Sequence, residues 1–180
     1  MPSSAASTAS LRNKLRRFRR SRRGSTAVEF ALVAPMFFAL LFAILETAMV
    51  FFAGQVLETM TQEGARMIMT GQAQTAGYAQ ADFKNYVCNQ ISILFSCANI
   101  NVDVQSYSTF SSVVIPSQID ANGCFVGTNR YNPGGPSQIV VVQLSYQWPL
   151  LVTGLGYNIS NLCGSKRLLS AAAAFQTEPY

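Results

Sequence analysis

The sequence predicts an α+β protein: one long N-terminal apolar helix, a short second helix, and a small antiparallel sheet packed against them. Three observations carry that reading. Residues 30–45 contain no charge, and the apolar character resumes at 47–53 after Glu46. Apolar residues then recur at helical spacing over 55–68. In the second half the period drops to two, with Ile100, Val102 and Val104 alternating against Asn101, Asp103 and Gln105. At 180 residues the chain suffices for one domain with its own core plus an anchoring element.

Taken in order, residues 1–10 are small and polar and have nothing to bury, which predicts disorder. A basic block follows. Residues 30–53, at about 1.5 Å rise each, extend about 36 Å against a hydrocarbon core of about 30 Å, enough for one tilted crossing. Beyond Gly54 the pattern turns amphipathic: Val56, Leu57, Met60, Ala65, Met67 and Ile68 share one face, and Gln55, Glu58, Thr59, Gln62, Glu63 and Arg66 take the other. The membrane helix therefore continues into a half-buried one, which Gly71 and the polar run GQAQTAG end. A second helix is expected at about 78–94, with Ala79, Phe83, Tyr86, Val87, Ile91 and Leu94 as its apolar stripe. Residues 98–108 read as a half-buried strand, SSVVIP (111–116) as a short strand, and residues 122–137 as a loop rich in Gly, Pro and Asn. QIVVVQLSYQW is the best strand, with Val140, Val142, Leu144 and Tyr146 on one side. The alanines of SKRLLSAAAAFQTE favour helix, but its place after two strands predicts a final antiparallel strand. The expected division is a leader at 1–24, a transmembrane and assembly helix at 25–54, and a soluble domain at 55–180.

Charge and composition narrow the function. The net charge of +5 is confined to the start: residues 1–24 hold eight of the thirteen Lys and Arg and none of the eight acids, so the remainder carries five bases against eight acids. Such a leader directs the N-terminus to the cytoplasm and the rest of the chain across the membrane. It has no aromatic platform beyond Phe18, so no nucleic-acid partner is expected. Histidine is absent, which removes the usual general base and the commonest metal ligand. The soluble part offers Asp82, Asp103, Asp120 and Glu178 as acids beyond residue 70, and no phosphate loop, paired-carboxylate pattern or metal-ligand spacing. No catalytic residue, metal or cofactor is expected. Cys88, Cys97, Cys124 and Cys163 all follow the apolar segment. An even count beyond a membrane span predicts disulfides in an oxidising compartment; three pairings are possible, and proximity favours Cys88–Cys97 and Cys124–Cys163.

The remaining constellation sits at the membrane boundary. Gly24 immediately precedes the apolar run, and Glu29 is the fifth residue after it. A secretory signal is cut after its apolar region, but the far end reads MVFFAGQ, with Phe51 where a small residue is needed. The natural processing point is therefore on the near side, where a cut discards the leader and leaves the apolar helix on the protein. Glycine lets an extended backbone enter a tight protease site, and Arg22 and Arg23 hold the bond at an anionic lipid surface. A carboxylate near a helix start, as Glu29 would be, is favoured by the helix dipole. Pro35 removes a donor within the helical run and is expected to kink or locally open it. The alternatives are an uncleaved signal anchor for the arginines, an interfacial residue for Glu29, and an interfacial or functional residue for Glu46. An anchored enzyme or ligand-binding domain is the rival for the whole chain.

The layout resembles type IV prepilins, and more closely the TadE-like pseudopilins of the Tad (Flp) pilus. RRGSTAVEFALVAP at 22–35 is similar to the family's R-x-G-x-x-x-V-E-F-A-L-V-x-P block, LLFAILE at 40–46 continues it, and VVVQLSYQWPL followed by SAAAAFQTEPY matches in outline. The resemblance implies a type IV pilin-like fold and cleavage after Gly24 by a membrane-embedded prepilin peptidase. It also implies assembly through the N-terminal helix, with the Ser25 ammonium that cleavage creates lying about one turn from Glu29 and pairing with it in the same or a neighbouring helix. The implied location is the bacterial inner membrane, as a single-pass protein with a periplasmic domain, with incorporation into the pilus as a further state. The implied partners are the peptidase, a second pseudopilin, the major Flp pilin, the inner-membrane Tad assembly platform with its ATPase, and membrane lipid.

Overall fold

A computed structural model describes residues 24–153 and 157–179. The basic leader before Gly24 lies outside the described residues. The described residues fall into two compact units that meet between Phe42 and Ala43. Helix α1, Ser25–Met69, runs through both. Within the first unit its apolar side chains are exposed: Val28, Phe30, Leu32, Val33, Met36, Phe37, Leu40 and Phe42 all present their surface to the surroundings. Ring pairs Phe37–Phe38 and Phe38–Phe42 line up along the helix at 5.5 and 6.4 Å. Helix α1 is long and apolar enough to cross a membrane by length and composition. Pro35 lies inside it, and the helix is assigned without interruption across that residue.

In the second unit α1 buries Glu46, Val50, Ala53, Leu57, Met60, Thr61, Ala65 and Ile68, the spacing of three and four that keeps one stripe on one face. The helix stops at Met69, where Gly71 takes φ 74°, a conformation that suits glycine, and its N–H reaches the Ile68 carbonyl. A single turn, α2 (Gln72–Thr75), lies within the polar run, and α3 spans Gln80–Ile91. The Asp82 carboxylate accepts from the Ala79 N–H and so ties the first turn of α3 to the residue before it. Phe83, Val87 and Ile91 from the predicted stripe are buried.

The sheet holds three antiparallel strands, β1 (Ile100–Tyr107), β2 (Ile139–Pro149) and β3 (Lys166–Gln176), in the order β1-β2-β3. Val102 faces Leu144, which faces Ala171. Val102, Val104, Val140, Val142, Leu144, Tyr146, Leu169 and Ala171 share one core with the buried residues of α1 and α3. The alanine-rich C-terminal segment is thus a strand, as its position predicts, because pairing with the strongly β-forming β2 outweighs local helix propensity.

Two sequence expectations are corrected. SSVVIP is not a strand: Phe110–Ser112 form a 3-10 turn and residues 113–116 run on without a ladder partner. Val114 and Ile115 remain exposed there. The Tyr107 hydroxyl holds the Val114 carbonyl at 2.9 Å, and Pro116 has no N–H to give a ladder. Nor is β1 half-buried. Asn101 and Asp103, on the face expected to meet water, are 7% and 4% exposed, because the long connection from β1 to β2 folds back over that face. Residues 130–132 of that connection also bond to Val104 along the outer edge of β1.

Candidate functional site

Gly24 occupies a 3-10 position immediately before Ser25, the first residue of α1. A Cβ built on Gly24 meets no atom within 4 Å, and its backbone is not left-handed, so no local packing or dihedral demands glycine. Glu29 lies four residues after Ser25 on the same helix, a spacing that stacks the two positions on one face about 6 Å apart along the axis. Glu29 and Pro35 are both exposed. The structure therefore brings Gly24, Ser25 and Glu29 into one short segment at the head of an exposed apolar helix.

Glu46 behaves differently. It is 9% exposed, and its carboxylate accepts hydrogen bonds from the backbone N–H groups of Leu151 and Val152, the latter at 3.1 Å to both oxygens. One residue on, Thr47 Oγ1 donates to the Ala43 carbonyl at 2.8 Å and so receives the hydroxyl proton of Tyr157. Helix α1 thus clips both described ends of the β2–β3 connection. A charge inside an apolar run is visible in the sequence, but nothing near Glu46 indicates acceptance of two N–H groups more than a hundred residues away.

The cysteines form Cys88–Cys97 and Cys124–Cys163, with Cα separations of 5.5 and 5.0 Å. This is the pairing that proximity along the chain favours. The first ties the end of α3 to the start of β1, and the second joins the β1–β2 and β2–β3 connections. On the covered face of the sheet, Asp103 accepts from Arg130 three times, from Nε at 3.0 Å, Nη2 at 2.8 Å and the backbone N–H at 3.2 Å. That hydrogen bond raises the guanidinium pKa above its ordinary value. Burial pushes the neighbouring Tyr131 up to about 12, with Asp82 and Tyr78 acting in the same direction. Two grooves of about 290 and 310 Å³ run between α1 and β3 in the second unit. Among the described residues no three His, Cys, Asp or Glu side chains gather as a metal site.

An exposed apolar helix long enough to cross a membrane, followed by a disulfide-bonded α+β unit, is the layout of a single-pass anchored protein with one folded domain. Residues 24–66 match the family model of TadE-like proteins, so the match begins at Gly24 and ends inside α1. No curated protein and no solved structure matches the chain. The match supports a Tad pilus-related role, implies association with pilus assembly components, and suggests a structural rather than a catalytic protein. The long apolar helix fits a single-pass membrane anchor in such a system.

Proposed function

We propose that this protein is a minor pseudopilin of the Tad (Flp) pilus, cut after Gly24 by the prepilin peptidase and assembled through its N-terminal helix. The observation that carries the proposal is the family match from Gly24 through the exposed apolar part of α1. In this reading residues 1–24 are the cytoplasmic leader, 25–54 the membrane and assembly helix, and 55–180 the periplasmic domain. Gly24 serves the peptidase, which supports a glycine at a position where packing does not require one. The Ser25 ammonium and the Glu29 carboxylate form the electrostatic pair at the head of the helix, within one subunit or between neighbours. Pro35 then sets the local path of the helix in a bundle. The second pseudopilin, the major Flp pilin and the inner-membrane platform are the partners that such a helix meets, and adhesion and surface colonisation are the roles of the resulting pilus.

Intact-mass measurement of the chain made with and without the prepilin peptidase tests this reading. A mature chain beginning at Ser25 only in the presence of the peptidase is expected. The same full-length mass in both preparations would exclude the pseudopilin assignment and leave an uncleaved anchor.

A further inference from the structure

We propose that the end of the second unit marked by Glu46 docks on the bilayer surface, with the exposed Leu151 seated in the lipid interface. This rests on the reading of α1 as a membrane anchor. From Glu29 to Glu46 the helix rises about 26 Å at about 1.5 Å per residue, close to a hydrocarbon core of about 30 Å. Glu46 is the first charge after residues 30–45, and a carboxylate deeper in the bilayer costs about 3 kcal/mol on insertion scales. On this reading the hydrocarbon ends at Glu46, and residues 47–54 of the membrane and assembly helix, with Val50 and Ala53 buried against the sheet, lie beyond it. The loop bonded to Glu46 stands at the same depth.

The clip suits that depth. Backbone N–H groups near lipid need internal partners, and Glu46 supplies them to Leu151 and Val152. Between those bonded groups the Leu151 side chain is 90% exposed. Ile93, fully exposed in the turn after α3, is at the same end of the sheet, since Phe95 packs on Tyr146 and Trp148 at ring separations of 5.0 and 6.0 Å. Trp148 and Tyr157, aromatic bodies with a polar tip, are of the kind enriched at membrane interfaces. Lys166 and Arg167 open β3 opposite Pro149 and Trp148, where they favour anionic headgroups. A docked unit would have its α1 partner surfaces held at a constant height above the membrane, which a freely swinging domain would not.

Trp148 is the sole tryptophan, so its fluorescence reports this end alone. The full-length chain is placed in vesicles of phosphatidylethanolamine and phosphatidylglycerol carrying acyl-chain bromines at shallow or deep positions. Quenching by the shallow bromines above the deep ones is expected. Leu151→Asp should lose that quenching while the protein still floats with the vesicles. Phe110→Asp, an exposed change beyond the opposite end of β1, should keep it. An unquenched Trp148 in protein that floats with the vesicles overturns the docking and leaves the anchor intact. Quenching that Leu151→Asp does not reduce overturns it as well. Protein that does not float with the vesicles overturns both.

Discussion

Single side chains in this molecule divide by whether their partners are local. Asp82, in the first turn of α3, accepts from the Ala79 N–H three residues before it, a pattern written in its neighbourhood, whereas Glu46 and Asp103 find theirs across the fold. Tyr131 is the side chain whose burial has the clearest chemical consequence. Its hydroxyl has no hydrogen-bond partner among the described residues, and its ring packs on Phe83 at 5.8 Å. With the folded pKa at about 12 and the ordinary value at 10.0, the unfolded chain loses this proton first. Stability from Tyr131 is therefore complete below pH about 10 and falls as the pH rises toward about 12. Tyr131→Phe should flatten this loss and leave stability at pH 7 equal or up to about 1 kcal/mol higher, since an unpaired buried hydroxyl is removed. Urea midpoints of the two proteins at pH 7 and pH 11 check it; an equal alkaline loss in both would refute the assignment.

Among the elements, α1 changes character along its length. Its first part exposes apolar side chains all round, and its second part buries one stripe against the sheet, which is why a single periodicity does not describe it. Gly64 sits in the second part. Replacing a helical glycine by alanine ordinarily stabilises by about 1 kcal/mol. Here a Cβ at Gly64 would come within 2.8 Å of Phe83 Cζ, and Phe83 is fully buried in the core. Overpacking of this kind costs about 1–3 kcal/mol, so Gly64→Ala should destabilise by about 1 kcal/mol net. Denaturant unfolding of the detergent-solubilised chain measures this, and Phe83→Leu in the same background should recover part of the loss. A stabilised Gly64→Ala protein would contradict the close approach of α1 and α3.

At the scale of the whole molecule, the proposed assembly depends on the head of α1 and the fold depends on the second unit. Glu29→Ala should therefore leave insertion and unfolding unchanged while lowering co-purification with other pilin subunits several-fold, as expected for a charge pair removed from lipid surroundings. Unchanged partner recovery would speak against an intersubunit pair. The long helix, the places of β1, β2 and the alanine-rich β3, and the cysteine pairing favoured by proximity were all legible from the residues themselves. Periodicity, chain separation and charge placement are local properties that survive without a fold. The burial of Asn101 and Asp103, the failure of SSVVIP to pair, the Glu46 clip and the Gly64–Phe83 approach were not. Each depends on where a long connection or a distant helix comes to rest, and backbone N–H groups, which any stretch of chain can offer, leave no mark in the sequence of the segment that receives them.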